Sequence, residues 1–325
     1  MDNKKNILIT GGAGFIGFAL AKKLSDNKKN RIVIVDNLSR GNLDKEFREL
    51  IKNKNITFLK MDLRKKIRFK FHNLTHIFHL AGSVGVKNIN KDSYGSFLNN
   101  VDTLKNIIEI CKNHNKKIKF ILFSTSEVYS NLIKYNIVKF PIKESNNIII
   151  ENDIIARDAY YLSKIFNEKI IQLSNINYLI LRPHNIYGPR MGFSHVIPEL
   201  IKKITLEKFK MTKKTVVFSP NHKRAFCYID DAISQIEKLS FNSKSNNKIF
   251  NIGNMKKEVT MFDLAKKIKS FFYENAKLKK GKNTLGSPKR RVPDMSTTLK
   301  ITKIKKFISL DEGLKKTINW YSKYL

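Results

Sequence analysis

The sequence predicts an α/β fold, a doubly wound parallel sheet followed by a smaller C-terminal lobe. Three observations predict it. An apolar run, Ile7-Leu8-Ile9-Thr10, passes at once into the closely spaced glycines of Gly11-Gly12-Ala13-Gly14-Phe15-Ile16-Gly17, the pattern of strand, tight turn and helix start. A second apolar run, Arg31-Ile32-Val33-Ile34-Val35, ends on an acid, Asp36. Short apolar runs then alternate with longer helical segments as far as residue 182, which argues parallel βαβ units.

Taken in order, each element has its own reason. Gly12, Gly14 and Gly17 fill a G-x-G-x-x-G spacing, with Gly11 just before it. The first glycines permit the turn, Gly14 lets backbone N–H groups approach a pyrophosphate, and Gly17 lets the helix pack against its strand. This Rossmann-type fingerprint predicts a dinucleotide. Asp36 would accept hydrogen bonds from an adenosine ribose and repel a 2′-phosphate, so NAD is expected rather than NADP. A polar loop over 37–42 and a charged helix lead to a third strand at 55–59, and Asp62 follows that strand at a ligand-binding end, where it is either an adenine contact or an exposed loop acid. The fourth strand, 75–80, runs into Ala81-Gly82-Ser83, whose small side chains would let the sheet edge lie against a cofactor. A helix over about 97–113 precedes a fifth strand, 118–123, that ends in the polar cluster Ser124-Thr125-Ser126-Glu127-Val128-Tyr129. Chemistry is expected there. A helix over about 156–174 carries Tyr160 and Lys164, and a sixth strand at 178–181 leads into Arg182-Pro183-His184-Asn185.

Beyond this point the elements shorten. Helices are expected at 198–206, 230–239, 260–272 and 310–324, with extended segments at 215–218 and 224–229. We therefore expect a dinucleotide-binding domain over 1–182 and a substrate-binding lobe over 183–325 that closes over it, with one or more strands of the lobe returning to the main sheet. The lysine-, glycine- and asparagine-rich stretch 275–293 is expected to be the most mobile.

Composition narrows the function classes. The 325 residues carry a formal net charge of +36, but the lysines are scattered through every segment instead of clustering with aromatics. That distribution reads as a solvated surface that favours anionic substrates, and no nucleic-acid partner is expected. No run of about 18 apolar residues occurs, and the first strand begins almost at the N-terminus, so neither a membrane span nor a secretory signal is expected. A cytoplasmic protein follows. Cys111 and Cys227 form no C-x-x-C pattern and read as buried, reduced thiols, with no metal expected.

Tyr160 and Lys164 are four apart, so on a helix they share a face and the ammonium favours phenolate. Tyr135 with Lys139 and Tyr273 with Lys277 repeat the spacing, but Tyr135 is expected in an irregular loop and Tyr273 at a helix terminus far along the chain. Only Tyr160 opens a long helix between the fifth and sixth strands. Thr125 offers a hydroxyl able to donate to a sugar oxygen, and Glu127 is either an acid or base at the reacting carbon or an outward loop glutamate.

The segments TGGAGFIG, DNLSRGN, STSEVY, the Y-x-x-x-K pair and RPHNIYGPRMG together resemble the extended short-chain dehydrogenase/reductase family, specifically its NAD-dependent nucleotide-sugar epimerases and dehydratases. The likeness covers nearly the whole chain. It implies a tightly held NAD contacted by Gly11, Gly14, Phe15, Ile16, Gly17, Asp36, Asn37, Asp62, Leu63, Leu80, Ala81 and Gly82, together with Tyr160 and Lys164. It further implies that Tyr160 is the base, Lys164 lowers its pKa, Thr125 assists, and Asn185, Arg224 and Arg291 meet a nucleoside-diphosphate sugar. Homodimers through paired helices are common among such enzymes. Two departures stand out: Ser130 follows Tyr129 where glycine is usual, and Asn100-Val101-Asp102-Thr103-Leu104 lacks the glycine and threonine of N-V-x-G-T.

A 4-keto sugar would have three fates. Return of hydride to the other face gives a C4 epimer, a C5 carboxylate is lost as carbon dioxide, and elimination requires an acid and a base. Ser126-Glu127 resembles the pair of decarboxylases and of some dehydratases, and Arg291 before Pro293-Asp294 resembles decarboxylases, whereas Ala81-Gly82-Ser83-Val84-Gly85-Val86 resembles 4-epimerases and the usual dehydratase Asp-Glu pair is absent. The expectation is a UDP-sugar 4-epimerase similar to UDP-glucose 4-epimerase, with UDP-glucuronate decarboxylase or a nucleotide-sugar 4,6-dehydratase as the alternative. A noncatalytic NAD-binding scaffold is the reading from a different class, and intact Thr125, Tyr160 and Lys164 speak against it.

Overall fold

The structure is a computed structural model and describes residues 4–41, 43–113 and 118–325. The chain begins β1 (Asn6–Thr10), α1 (Phe15–Ser25), β2 (Arg31–Asp36), α2 (Lys45–Ile51), β3 (Ile56–Lys60) and β4 (His76–His79). It continues α3 (Val86–Lys91), α4 (Ser93–Lys112), β5 (Lys119–Phe123), α5 (Ser130–Lys134), α6 (Asp158–Leu173), β6 (Asn177–Pro183) and β7 (Ile186–Tyr187). Next come α7 (Val196–Lys208), β8 (Thr215–Val217), β9 (Lys223–Ala225), β10 (Cys227–Tyr228), α8 (Ile229–Ser240) and β11 (Lys248–Ile252). The chain ends β12 (Glu258–Thr260), α9 (Met261–Phe272), β13 (Leu278–Lys280), β14 (Arg290–Arg291), α10 (Ser296–Thr302) and α11 (Leu310–Tyr321).

Seven strands form one sheet in the order β11-β6-β5-β4-β1-β2-β3, and β1 to β6 pair with their neighbours in parallel. The order reverses between β1 and β4. In such sheets the crevice beyond the carboxyl ends of those two strands is where a ligand binds. One face is sealed by α4 and α6, whose side chains pack with Leu8, Ile77, Phe120, Leu122 and Ile180 of the strands in a continuous apolar core. Six-residue strands reading Arg31-Ile32-Val33-Ile34-Val35-Asp36 suit this burial, because a parallel sheet covered on both faces selects unbroken apolar runs.

The chain forms two compact units: Met1–Val128 with Ile150–Pro183 and Ile233–Phe250, and Tyr129–Ile149 with His184–Ala232 and Asn251–Leu325. Two segments thus cross the boundary expected after residue 182. In the second unit, β9 is flanked by β12 and β14, β8 pairs with β13, and β7 pairs with β10. The stretch 275–293 therefore contains two paired strands, β13 and β14, that its polar composition concealed. Tyr135, expected in an irregular loop, terminates helix α5 and is half exposed. That helix begins at Ser130, the residue that stands in place of the usual glycine.

The glycine turn differs in one respect from its reading in sequence. Gly11, not Gly12, adopts the left-handed conformation (φ 71°), and its N–H bonds the Val35 carbonyl at 2.8 Å. A side chain at Gly11 would strike the Leu80–Ala81 backbone at 2.7 to 3.0 Å, and one at Gly17 would run into the Gly11 carbonyl oxygen. The nearest atoms to a side chain at Gly12 all belong to the buried Ile34 side chain, its Cγ2 methyl first. We expect Gly17→Ala to destabilise the fold by about 1–3 kcal/mol through overpacking against backbone, and Gly12→Ala to cost less because its nearest contacts are with one side chain and not with backbone. Thermal unfolding of the two variants checks the order, and equal melting temperatures would overturn it.

Candidate active site

The first unit gathers the predicted cofactor residues at the switch between β1 and β4. Helix α1 starts at Phe15 behind Gly14, which offers no side-chain cap, and its first turn contains no acid. Its leading N–H groups and dipole are thus left to an anion. At the tip of β2 the Asp36 carboxylate accepts from Ala13 N at 3.0 Å and Leu38 N at 2.8 Å, tying the glycine turn to the loop over 37–41. Its remaining lone pairs suit ribose hydroxyls. A Cβ at Gly41 would strike Ala13 at 2.9 to 3.0 Å from its backbone, so this loop lies directly on the glycine turn. These features fit a dinucleotide: a glycine cradle for the pyrophosphate and an acid for the ribose.

Asp62 and Leu63, expected at the adenine, are already engaged within the first unit. Asp62 is engaged by Arg64, whose Nε lies 2.8 and 2.9 Å from its two oxygens, and this hydrogen bonding holds the carboxyl below its usual range. Leu63 is buried in the apolar core, which leaves only its backbone to face a ligand. Leu80, Ala81 and Gly82 follow β4; Leu80 N donates to Thr10 O, and Ala81 N to Thr10 Oγ1. Asn37 Oδ1 accepts from Ser39 N within its own loop, and Phe15 and Ile16 form the first turn of α1.

Helix α6 carries Tyr160 and Lys164, the pair expected to react. Asp158 opens it and accepts from Ile155 N at 3.0 Å, an anion at the favourable end of the helix dipole. Residues 160, 164 and 168 then stack on one stripe, half-buried at Tyr160 and fully buried at Lys164 and Glu168. Lys164 Nζ donates to the Phe123 carbonyl at the end of β5, at 2.9 Å, and a Cβ on Gly82 would lie 3.6 Å from it. Burial brings its pKa down to about 8, while Glu168 pulls in the opposite direction. Thr125 is buried just beyond β5, where its Oγ1 accepts from Glu127 N at 3.2 Å, and Glu127 itself is half-buried in the 3₁₀ turn Ser126–Tyr129.

Several residues that sequence reasoning did not single out hold this group together. Asn100 of α4 bridges the loop after β4 and helix α6: its Oδ1 accepts from Ser83 N at 2.6 Å, and its Nδ2 donates to Ser83 O and to Ser163 Oγ. Ser163 Oγ donates onward to the Tyr160 carbonyl at 2.7 Å. Asn100 opens the N-V-x motif, which is the signal that points to it in the sequence. His79 on β4 is fully buried; its Nδ1 pairs with Thr10 Oγ1 at 3.0 Å, and burial followed by the Lys164 charge pushes its pKa down to about 3. It is a neutral wall of the lysine pocket.

The second unit assembles the three residues expected to meet a substrate. Arg224 and Arg291 are direct partners in the parallel pairing of β9 and β14. Arg224 is buried, and its guanidinium donates to the carbonyls of Lys223 at 2.8 Å and Pro288 at 2.6 Å and to Ser287 Oγ at 3.1 Å. Burial and the neighbouring Arg291 lower its pKa to about 9. Asn185, at φ 43°, donates through Nδ2 to Ala225 O and Arg291 O, so its amide fastens both strands. Arg290, by contrast, faces outward in an ion pair with Glu258 at 2.5 Å. Two neighbouring arginines, one of them anchored on carbonyl oxygens, are suited to a diphosphate.

The chain is similar to known proteins. The model of the NAD dependent epimerase/dehydratase family matches residues 7–253. UDP-glucuronic acid decarboxylase 6 of Arabidopsis thaliana is 28% identical over 319 residues, covering 96% of this chain and 88% of that protein. The dTDP-D-glucose 4,6-dehydratase of Dictyostelium discoideum is 32% identical over 289 residues, covering 82% of this chain and 63% of that protein. Among solved structures, UDP-glucose 4-epimerase from Thermotoga maritima with UDP-glucose superposes with a TM-score of 0.83 at 25% identity, covering 98% of this chain and 99% of that one. The fold, the glycine cradle and the Tyr160–Lys164 helix thus agree with a family match over most of the sequence: the chain belongs to the NAD dependent epimerase/dehydratase family and is an NAD-dependent enzyme.

Proposed function

We propose that the protein interconverts C4 epimers of a UDP-sugar through a transient 4-keto form. The observation that carries this reading is the end of β5, where buried Ser126 precedes Glu127, so the carboxylate pair of an elimination is not built. Epimerisation asks less of the protein: a base, a cation beside it and a hydroxyl donor, which Tyr160, Lys164 and Thr125 supply. The likeness to a UDP-glucose 4-epimerase over nearly the full chain supports it.

In this reading bound NAD supplies reversible hydride acceptance at C4. Tyr160 takes the C4 hydroxyl proton and later returns it. Lys164, seated on the Phe123 carbonyl, stabilises the phenolate and meets the nicotinamide ribose. Thr125 donates to the sugar oxygen, Asp36 binds the adenosine ribose, the α1 N-terminus binds the pyrophosphate, and Arg224 with Arg291 binds the diphosphate of the substrate.

Decarboxylation is the second reading. The Arg224–Arg291 pair suits a substrate with an additional anion, and a UDP-glucuronic acid decarboxylase matches 96% of the chain. Incubation with a panel of UDP, dTDP and GDP sugars, without added reductant, separates the two. A product of unchanged mass with inverted C4 is expected, whereas loss of about 44 Da identifies decarboxylation and about 18 Da dehydration, the outcomes that different acid and base groups impose. Glu127→Gln is expected to keep turnover within about tenfold, whereas loss of about a hundredfold would mark Glu127 as an obligatory acid or base.

The protein also reads as a cytoplasmic homodimer. Both cysteines are free and buried, in keeping with a reducing compartment, and among the described residues no helix is long and apolar enough to cross a membrane. Tyr94 of α4 and Phe166 and Leu173 of α6 are exposed apolar side chains on neighbouring helices. Sedimentation as a monomer would refute the dimer.

A further inference from the structure

We propose that Glu168 is a positioning residue for the reaction: pinned by Arg182 and Ser124, its carboxylate fixes Lys164 against the end of β5 and keeps the ammonium charged beneath Tyr160. Glu168 is fully buried, one helical turn beyond Lys164. Its Oε1 accepts from Ser124 Oγ at 2.5 Å and from Arg182 Nε at 2.9 Å, and its Oε2 accepts from Arg182 Nη2 at 2.6 Å. Arg182 is equally enclosed. A pair so deeply buried gains little for stability over an apolar replacement, so its retention points to a task of position or charge.

The connections define that task. Ser124 adjoins both Phe123, whose carbonyl holds Lys164 Nζ, and Thr125, the hydroxyl assigned to the sugar. Ser124 N is itself bonded to Leu181 O, next to Arg182. One carboxylate therefore links α6, the end of β5 and the end of β6, the three segments that carry Tyr160 with Lys164, Thr125 and Arg182. Glu168 on its own helix and His79 from β4 are the titratable groups that act on Lys164; Tyr160 lies one turn before it on α6, Arg182 of β6 is bound to Glu168, and α4 contributes the neutral Asn100. His79 stays neutral through the physiological range, and Arg182 is already engaged. Glu168 is the anion of the set that works against the desolvation of Lys164.

This inference rests on Lys164 serving the base, but its test reads stability alone, so failure of the proposed reaction leaves the outcome interpretable. Lys164→Met is made in the full-length protein, freed of dinucleotide, and in the same protein carrying Glu168→Gln with Arg182→Met, a replacement that removes both charges together and avoids a stranded guanidinium. Melting temperatures are followed from pH 6 to pH 10.5, about the range in which a buried lysine gives up its proton. The gain on replacing Lys164 is expected to be at least about 3 °C greater without Glu168 at pH 7, because the ammonium then lacks its anion, and the excess is expected to vanish toward pH 10.5. Glu168→Asp with Arg182 retained, whose shorter arm draws the carboxylate back from Ser124, is expected to fall between and decides the matter alone if the first background does not fold. Equal gains in all backgrounds overturn the proposal, and so does an excess that does not change with pH, which would be packing and not charge.

Discussion

Tyr160→Phe is expected to lower turnover by about 10³-fold while the protein keeps its NAD, because removal of one hydroxyl abolishes proton transfer without opening a cavity. The surrounding geometry makes the substitution a clean probe. The Tyr160 backbone is held through its carbonyl by Ser163 Oγ, and Ser163 is held by Asn100, so the helix keeps its seat with phenylalanine in place. Lys164 likewise retains its bond to the Phe123 carbonyl. Product formation by NMR, and the dinucleotide released from denatured protein, together read the two properties. A rate near that of the parent removes Tyr160 as the base, and loss of bound NAD recasts it as a cofactor-binding ring.

How much of this was legible in the sequence depends on how local each feature is. The strands from β1 to β6, the acid at the tip of β2 and the four-residue spacing of Tyr160 and Lys164 lie in short segments whose periodicity speaks for itself. The role of Gly11 does not: besides its left-handed turn, a side chain there would strike the Leu80–Ala81 backbone, a neighbour supplied by the fold. Arg224 and Arg291 could be suspected singly, yet only the pairing of β9 with β14 makes them adjacent, and β14 lay in a stretch whose lysines, glycines and asparagines read as loop. The buried polar links among Asn100, Ser163, Glu168 and Arg182 escaped for a related reason. A charged or amide side chain on a helix is usually solvated, and burial between two helices or beneath a sheet cannot be read from composition. Leu63 shows the converse, since a residue placed at the cofactor by position turned out to spend its side chain on the core.

Lys164→Met is expected to abolish turnover, by roughly 10³-fold or more, and at the same time to make the dinucleotide-free protein more stable at neutral pH. Both effects have one origin. An ammonium enclosed between α6, β4 and the end of β5 holds its charge beside the base at the expense of desolvation, which is why its pKa falls from 10.5 to about 8. Each unit of such a shift corresponds to about 1.4 kcal/mol, so burial of the charge costs the fold roughly 3 kcal/mol, and the bond to the Phe123 carbonyl returns about 1 kcal/mol of it. A methionine of similar length is therefore expected to raise the melting temperature by about 4 °C. The sign with pH follows from linkage. The folded pKa lies below the unfolded one, so the unfolded chain binds more protons between about pH 8 and pH 10.5, and the parent gains stability across that window. The advantage of the variant is then greatest below pH 8 and closes by about pH 10.5. Calorimetric melting of both proteins from pH 6 upward checks it, and a variant that is less stable at pH 7 and inactive would show Lys164 to be a structural hydrogen-bond donor instead of a charge held under strain for catalysis.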